Sequence, residues 1–395
     1  MTVPADTGRI RLLAVVRWPV GGIRTYMRYT YGAFPGETEL TILANRTQEE
    51  DLLRQDAAEL GARLVPVEGG TRELAKAAWR ELRGGGHTVV QSHGFNAAAA
   101  VSLANAFRPR PHLLTVHGIL EQRLLTGFSG RLKRLGLRRL VRRLDAVHAV
   151  GRDIMEHLRE EIPGLEESGV RCEIIPNGVD TSRFLGCRDT APGLRAELGL
   201  RRDEFLFGFL GRLMEQKGFD LVIRAAKELA GEGRAFRVLV AASGDYIREY
   251  RRLITEAGLA DRFVFLPYQD DVRRVFATVD AVLMPSRWEA WGLLKAEALS
   301  SGTPLVASTC MGLAEDIEDS PTLFVRPGDA PDLARAMRLA LDDPDLARRF
   351  AEFAPEASRR FSVCRSAERM RSLLGELHHN GAGRVPAGPM GAVEP

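Results

Sequence analysis

Short runs of apolar residues alternate along the chain with longer segments in which apolar residues recur at helical spacing. In the first half, helical patterns such as Gly22–Tyr31 and Thr71–Arg83 separate the apolar runs. The strands predicted there are Ile10–Val16, Glu39–Leu43, Arg63–Pro66, Thr88–Gln91, His112–Thr115, Ala146–Ala149 and Cys172–Ile175. Apolar strands separated by helices are typical of a parallel sheet covered on both faces. The first half therefore predicts a doubly wound α/β domain.

A second alternation of the same kind begins after a pause in the pattern. Residues 176–200 hold prolines, glycines and no sustained periodicity, which predicts a connection between domains. The strands predicted beyond it are Phe205–Leu210, Arg237–Ala241, Phe263–Phe265, Ala281–Met284 and Leu305–Ala307. The pattern predicts an N-terminal domain over residues 1–185 and a C-terminal domain over 186–360, with a last helix within 361–378. The composition of residues 380–395, rich in Gly, Pro and Ala, predicts a disordered tail.

Functional side chains are expected where the predicted strands end. Doubly wound parallel sheets bind their ligands beyond the carboxyl ends of the strands. Two such sheets that face each other enclose an interdomain cleft. Polar residues directly after strands are therefore the candidates to line it.

One such position is the segment of residues 285–298, which follows a predicted strand and leads into a helix. Gly292 allows the backbone to approach a ligand closely. The first amides of the helix, at Leu293 and Leu294, have no partner within the helix and favour an anion such as a phosphate. This segment predicts a phosphate site.

Two glutamates and two cations accompany this predicted phosphate site. Glu289 lies in the loop before the helix and Glu297 lies one turn into it. Carboxylates at these places can accept hydrogen bonds from the hydroxyls of a sugar and of a ribose. Arg212 and Lys217 bracket a loop after another predicted strand, and we expect both to converge on one diphosphate.

The order and spacing of these motifs resemble the retaining glycosyltransferases of family 4, which have the GT-B fold. The resemblance rests on residues 211–218, on residues 177–180 (Asn-Gly-Val-Asp), and on Glu289 and Glu297 with seven residues between them. It extends over most of the chain. It implies two facing Rossmann-like domains with an interdomain cleft, and a final helix that crosses back to the first domain.

The resemblance also implies roles for individual residues. Glu297 would hold the ribose hydroxyls of the nucleotide, and Glu289 would contact the hydroxyls of the donor sugar. Arg212 and Lys217 would neutralise the diphosphate. The backbone positions implied to assist in nucleotide-sugar binding are Gly21, Gly22, Gly292, Leu293 and Leu294.

Two histidines that follow strands of the first domain belong to the same implied site. His117 would lie near the anomeric carbon of the donor sugar. His93, in the sequence Ser92-His93-Gly94, would line the acceptor side. Either histidine is also compatible with a purely structural role in the core.

The implied enzyme is a retaining hexosyltransferase that moves a sugar from a nucleotide diphosphate sugar to a glycan, lipid-linked or small-molecule acceptor. No metal-ligand cluster is visible in the sequence, so we expect no metal and no other cofactor. Fixed cations and helix amides would stabilise the leaving diphosphate instead. No carboxylate nucleophile stands out for a double displacement, and the resemblance favours front-face attack assisted by the leaving phosphate.

Two alternatives to transfer remain open. A nucleotide-sugar epimerase of related fold is one, because a fold does not determine a function. A non-catalytic sugar-nucleotide-binding partner is the other. Three departures from the family pattern lie near the expected donor pocket, namely residues 242–245, residues 311–315 and Lys295, which occupies a typically apolar helix position. They leave the base and sugar of the donor open.

The overall composition restricts the partners and the compartment. A formal net charge of +3 over 395 residues gives no concentrated basic surface, so no nucleic-acid partner is expected. The four cysteines are scattered, which fits a reducing, cytoplasmic compartment. Residues 1–11 contain no signal-peptide core, and no apolar run reaches the roughly 18 residues of a transmembrane helix. We expect a soluble protein.

The residues 131–144 are the local exception to this charge balance. Seven cations alternate there with leucines at helical spacing. One interpretation is a helix that lies on the inner face of an anionic membrane, which would make the protein peripheral. The other is an ordinary packing helix with a solvated cationic face. Gly136 weakens the helix in either case.

Overall fold

Each half of the chain folds around its own parallel β-sheet in the computed structural model of the protein. The structure describes residues 9–382, except residues 35, 37, 85, 108, 121–125, 191–192, 202, 245, 268 and 270. The chain forms two units. The first ends at Pro176 and resumes at Cys364, and the second comprises Asn177–Val363. The prediction of two doubly wound α/β domains is confirmed.

The sheet of the first unit has seven strands, all parallel. In chain order they are β1 (Ile10–Val16), β2 (Thr38–Asn45), β3 (Arg63–Val67), β4 (Val89–His93), β5 (His112–Val116), β6 (Ala146–Ala149) and β7 (Arg171–Ile174). Their order in the sheet is β3-β2-β1-β4-β5-β6-β7. The chain therefore reverses its direction of travel after β3, and the switch point lies between β1 and β4.

Helices cover both faces of this first sheet. They are α1 (Gly22–Gly32), α2 (Glu50–Glu59), α3 (Thr71–Gly84), α4 (Phe95–Asn105), α5 (Gly127–Val141) and α6 (Arg152–Glu161). The apolar residues of α1 and α2 pack in one core cluster, and those of α3 and α4 pack in another. Because the central strand β1 is buried by both clusters, its residues from Leu12 to Val16 are all apolar and do not alternate with polar ones.

The second unit repeats the arrangement with six strands. They are β8 (Phe205–Arg212), β9 (Phe236–Ser243), β10 (Phe263–Leu266), β11 (Ala281–Met284), β12 (Leu305–Ser308) and β13 (Leu323–Val325), in the sheet order β10-β9-β8-β11-β12-β13. Its helices are α7 (Cys187–Thr190), α8 (Phe219–Gly231), α9 (Ile247–Glu256), α10 (Arg273–Phe276), α11 (Leu293–Ser300), α12 (Ala330–Asp342) and α13 (Leu346–Arg360). The switch point of this sheet lies between β8 and β11.

The last helix, α14 (Val363–Ala382), packs on the first unit. Its buried apolar residues join the core cluster of α1 and α2, and they are Met370, Leu373, Leu374 and Leu377. An ion pair of 2.5 Å between Arg171 and Glu376 fastens it beside β7. Residues 380–382 of the predicted disordered tail are helical, and the rest of that prediction lies outside the described residues.

The segment predicted as a connection between domains is part of the second unit instead. Val179 donates its amide to the Phe361 carbonyl and accepts from the Val363 amide, both at 2.9 Å. Gly178 lies so close to the start of α14 that a Cβ on it would stand 2.5 Å from the Val363 Cα. The second unit therefore begins at residue 177 and not at 186.

Candidate active site

The loop after β8 is held against the end of β11, its neighbour in the sheet. Lys217 closes a 3₁₀ turn in this loop, and Gly218 follows with a φ of 69°. A Cβ at Gly218 would stand 2.2 Å from the Pro285 carbonyl oxygen. Only glycine permits both this backbone angle and this close approach, so the loop is fixed next to the segment that carries Glu289.

Lys217 and Glu289 form an ion pair at the centre of a cluster of side chains that lies where β8 and β11 end. The Lys217 Nζ lies 2.6 Å from the Glu289 Oε1, and the Ser286 hydroxyl donates to the same oxygen at 2.7 Å. Glu289 is buried, with 5% of its surface exposed. A buried carboxylate stays charged at low cost only when it is paired and hydrogen-bonded, and both conditions are met here.

Further hydrogen bonds join the two loops on either side of this pair. The Arg287 amide donates to the Gln216 carbonyl at 2.7 Å, and the Gln216 side chain donates to the Trp288 carbonyl at 3.0 Å. The Arg287 guanidinium makes two bonds to Asp220, at 2.8 and 2.9 Å. The positions of Lys217 and Glu289 are thus set by the backbone of both loops and not by their side chains alone.

The predicted phosphate site lies at the start of α11. Gly292 precedes the helix with a φ of 78°, and its carbonyl accepts the Lys295 amide at 3.0 Å. The first helical amides, at Leu293 and Leu294, precede the first full turn and so have no partner within the helix. Glu297 is buried on the same helix.

Lys295 is a fully buried cation at this helix, and its role could not be read from the sequence. Its Nζ donates to the carbonyls of Gly312, Leu313 and Glu315, at 3.1, 3.1 and 2.5 Å. The same ammonium lies 4.7 Å from the centre of the Trp291 ring, a cation–π distance. Lys295 therefore links α11 to the turn that follows β12.

The turn after β12 also supports the backbone of Glu289. The Glu289 amide donates to the Met311 carbonyl at 3.0 Å. Gly312 has a φ of 72°, and a Cβ on it would stand 2.3 Å from the Glu289 carbonyl oxygen. Gly312, which lies within the departure from the family pattern at residues 311–315, is thus required by this contact.

Arg212, the last residue of β8, is the second cation predicted for the diphosphate. It is half-buried, and its side chain makes no hydrogen bond or ion pair with the other residues that the structure describes. Its guanidinium is therefore available for an anionic ligand, unlike that of Arg287.

The glycine turn of the first unit follows β1. Gly21 has a φ of 53°, and its amide donates to the Glu49 carboxylate at 3.1 Å. Gly22 begins α1, and a Cβ on it would meet nothing within 4 Å. The left-handed backbone requires glycine at the first position, whereas the second is open to its surroundings.

The two predicted histidines lie side by side in the first unit. The His93 Nδ1 and the His117 Nε2 are 2.9 Å apart, and the rings stack with centres 5.1 Å apart. The other ring nitrogen of His93 lies 2.7 Å from the Tyr31 hydroxyl. His93 is buried and both its nitrogens are engaged, so it holds His117 in place, whereas His117 is partly exposed.

A chain of hydrogen-bonded, buried polar side chains extends from these histidines into the core of the first unit. The Tyr31 hydroxyl donates to Gln91 at 3.0 Å, and Gln91 donates to the Thr115 hydroxyl at 2.8 Å. His148 lies 3.2 Å from that hydroxyl and 2.9 Å from the Ile175 carbonyl oxygen. These bonds link four neighbouring strand ends of the sheet.

Burial keeps this histidine cluster neutral. Desolvation lowers the pKa of His93 to about 3 and that of His148 to about 4. The pKa of His117 is lowered well below its ordinary value by desolvation, with smaller contributions from His93 and His148. At neutral pH the cluster offers hydrogen bonds without charge.

Metal binding has no candidate in the part of the chain that the structure describes. No group of three or more His, Cys, Asp and Glu side chains there is arranged to hold an ion. The predicted residues form two clusters, one at the strand ends of each unit, and their catalytic roles stay predictions.

The two halves of the chain match two family models. Residues 192–357 match the model described as Glycosyl transferases group 1, and residues 20–183 match the model described as Glycosyltransferase Family 4. Together the matches cover more than four fifths of the 395 residues. The chain belongs to the family 4 glycosyltransferases, and the resemblance inferred from its motifs is confirmed.

Two relatives illustrate the similarity in sequence. The chain is 34% identical over 176 residues to 2-deoxystreptamine glucosyltransferase of Streptomyces kanamyceticus, a match that covers 44% of this chain and 46% of that protein. It is 37% identical over 235 residues to D-inositol 3-phosphate glycosyltransferase of Nocardia farcinica, covering 56% and 51%. The chain thus spans about half the length of each relative.

Solved structures show the similarity in fold. Sucrose-phosphate synthase from Thermosynechococcus elongatus superposes with a TM-score of 0.78 at 19% identity, over 94% of this chain and 100% of that one. Anabaena HepE superposes with a TM-score of 0.77 at 19% identity, over 93% and 100%. The predicted GT-B fold is confirmed.

Proposed function

We propose that the chain is a retaining hexosyltransferase that moves a sugar from a nucleotide diphosphate sugar to a glycan, lipid-linked or small-molecule acceptor, without a metal ion. The observation that carries the proposal is the ion pair between Lys217 and the buried Glu289, beside the start of α11. The pair places a cation, a carboxylate and unpaired helix amides at one strand-end cluster. A nucleotide diphosphate sugar has a complementary group for each of them.

The second unit supplies the stabilisation of the leaving group. Negative charge grows on the diphosphate as the glycosidic bond breaks, and cations fixed in advance stabilise that charge. Lys217 has three donors and uses one on Glu289, so it can also contact a phosphate oxygen. Arg212 and the amides at the start of α11 complete the anion site. The second oxygen of Glu289 would accept a hydroxyl of the sugar.

The first unit supplies neutral polar contacts on the acceptor side. His117 is the member of its cluster that is partly exposed, so it is the one that would contact the sugar near the anomeric carbon. His93 is buried, and we assign it the task of positioning His117 and not that of lining the acceptor. A neutral imidazole can accept or donate a hydrogen bond without competing with the cations for the diphosphate.

Donors and acceptors for the first trials come from the similar proteins. The HepE structures hold UDP, glucose and UDP-glucose, so UDP-sugars are the donors to test first. The names of the two relatives suggest 2-deoxystreptamine and inositol 3-phosphate as members of an acceptor panel.

The test is a donor screen with purified protein. UDP-, GDP-, ADP- and dTDP-sugars are incubated with the protein in the presence of EDTA, and release of nucleoside diphosphate is followed. Release from one donor that is lost in Lys217→Ala supports the proposal and identifies the donor. Configuration at the anomeric carbon of the product, read by NMR once an acceptor is found, tests retention.

The same screen separates the two alternatives. An epimerase would convert the donor sugar without releasing nucleoside diphosphate, and exchange of the sugar signals by NMR would show it. A non-catalytic partner would be stabilised thermally by one donor and would turn over none. Either result would overturn the transferase proposal.

Peripheral contact with the membrane through residues 131–144 is a separate part of the proposal. Most residues of α5 are exposed, including Phe128, Leu132 and Leu135. The helix continues through Gly136. None of the described helices is long and apolar enough to cross a bilayer.

A further inference from the structure

Exposed hydrophobic side chains are concentrated on three consecutive helices of the first unit. Six of the eleven large hydrophobic side chains that are exposed among the described residues lie on or directly beside α3, α4 and α5. They are Trp79, Leu103, Phe107, Phe128, Leu132 and Leu135. The helix α4 contacts both α3 and α5, so the six belong to one side of the unit.

Three of these side chains surround a groove between α3 and α4. Trp79 lines it from α3, and Leu103 and Phe107 line it from the α4 side. Its volume is about 600 Å³, and alanines of both helices, such as Ala75 and Ala100, complete its lining. Since α4 is alanine-rich and has no charged residue, the groove has an apolar lining and is open to solvent.

The edge of the groove is cationic. Arg72, Lys76 and Arg80 line it, all three are exposed, and none of them forms a salt bridge with another described residue. The acidic residues of α3 have other partners. Glu73 accepts the Gly70 amide, and Glu81 is bound by Arg63 and His87.

The neighbouring helix α5 extends the same charge pattern. Of the seven cations in residues 131–144, only Arg134 forms a salt bridge with another described residue, at 2.7 Å to Glu161. No acidic residue lies in this segment. Large apolar side chains and unpaired cations therefore alternate over the outer surface of both α3 and α5.

We propose that α3, α4 and α5 form a docking surface for an anionic lipid bilayer, in which the α3–α4 groove takes up an acyl chain. Apolar side chains insert at such a surface while cations at their edge contact lipid phosphates. A second copy of the chain is disfavoured as the occupant because it would bring like charges together. The proposal extends the contact proposed for residues 131–144, and it does not depend on transferase activity.

Vesicle flotation with the full chain tests the surface. The vesicles are phosphatidylcholine alone, or phosphatidylcholine mixed with phosphatidylglycerol. We expect binding to the mixed vesicles only, weakened by added salt. The triple variant R72Q/K76Q/R80Q should lower the partition coefficient roughly 100-fold, because each cation near an anionic surface contributes about fivefold.

Two further variants separate the groove from simple charge attraction. Leu103→Ser combined with Phe107→Ser should weaken binding, whereas the matched pair Tyr246→Ser and Leu339→Ser, exposed in the second unit, should not. Lipids brominated on the acyl chain should quench the fluorescence of Trp79. The quenching should disappear in Trp79→Phe.

Three outcomes would overturn the proposal. One is absence of binding to anionic vesicles, and another is equal binding by the parent chain and the groove variants. The third is dimerisation in sedimentation that the groove variants abolish, which would assign the surface to a second copy. Thermal unfolding and nucleoside diphosphate release are measured on every variant, so loss of the fold or of the proposed activity is distinguished from loss of docking.

Discussion

The clusters at the strand ends of the two units differ in the charge of their polar side chains. In the second unit, charged groups are paired and fixed, as in the ion pair of Lys217 and Glu289 and in the buried ammonium of Lys295. In the first unit, His93 and His117 are neutral because burial depresses the pKa of both. The same fold thus supports a charged site in one half and an uncharged one in the other.

This difference suits the two halves of a glycosyl transfer. A leaving diphosphate requires cations that are already in place, since reorganisation would raise the barrier. A sugar hydroxyl requires directional hydrogen bonds, which a neutral imidazole can donate or accept. We therefore expect substitutions in the second unit to act on leaving-group departure, and those in the first to act on orientation.

The largest effect is expected from Lys217→Ala. Loss of the cation should lower nucleoside diphosphate release roughly 100- to 1,000-fold, in the range seen when one stabilising donor is removed. The thermal midpoint should also fall, because the buried Glu289 loses its charged partner, so release is measured well below that midpoint. The control is Lys227→Ala, which removes an exposed lysine from α8. Near-normal turnover in Lys217→Ala would refute the role given to this cation.

A smaller effect is expected from Lys295→Met, which leaves three backbone carbonyls without their donor. We expect nucleotide affinity to fall about tenfold, because the turn that supports Glu289 loses its anchor to α11. Isothermal titration with the nucleoside diphosphate measures this. The matched control is Leu333→Ala, a buried change on α12 that lowers stability by another route. Equal losses of affinity in both variants would mean that Lys295 only stabilises the fold and does not act on nucleotide affinity through Glu289.

In the first unit, Tyr31→Phe should have only a several-fold effect on turnover. The variant keeps the ring but removes the hydroxyl that contacts His93 and Gln91, which should cost about 1–3 kcal/mol of unfolding free energy. Because His117 is then held less firmly, kcat should fall while the KM for the donor is unchanged. Tyr246→Phe, at an exposed tyrosine, is the control. A raised donor KM with normal kcat would contradict the division of tasks between the units.

The weakest effect is a pH dependence of stability. The folded pKa of His148 is about 4, and the ordinary histidine value is about 6.5, so the unfolded chain binds a proton first. The stability is complete above about pH 6.5 and is lost as the pH falls toward 4, by up to about 1.4 kcal/mol per pH unit for each such histidine. Urea unfolding between these values measures the slope.

Two histidine variants test the source of that slope. His148→Gln should flatten it, whereas His379→Gln, at an exposed position on α14, should not. A slope that both variants leave unchanged would mean that the neutral cluster does not control the pH response of the first unit.

The sequence predicted the elements whose signal is local. The strand Ile10–Val16 is observed with the predicted bounds, because its five buried residues, from Leu12 to Val16, are all apolar. The helix α4 gives no such periodic signal, since its alanines are buried on several sides. The start of the second unit was also misplaced, because the pairing of Val179 with Ser362 joins residues far apart in the chain.

The residues of the candidate site also divide into those with a local sequence signal and those without one. Glu289 and Lys217 could be found because each follows a strand within a recognisable motif. The role of Lys295 could not, because it depends on backbone carbonyls of a turn that follows another strand. His93 was expected to line the acceptor side, and that role stays a prediction; its contact with Tyr31 on α1 could not be foreseen from the sequence.

By itself the sequence determined the fold class, the family and the residues that could carry charge at the strand ends. Hydrophobic periodicity and short motifs encode these features within a few residues of each other. Only the tertiary structure decided which of those residues are paired, neutral or exposed. Burial and hydrogen bonding arise from distant segments that pack together, and these two factors control the charge on Glu289, the neutrality of the histidines and the exposure of the α3–α4 groove.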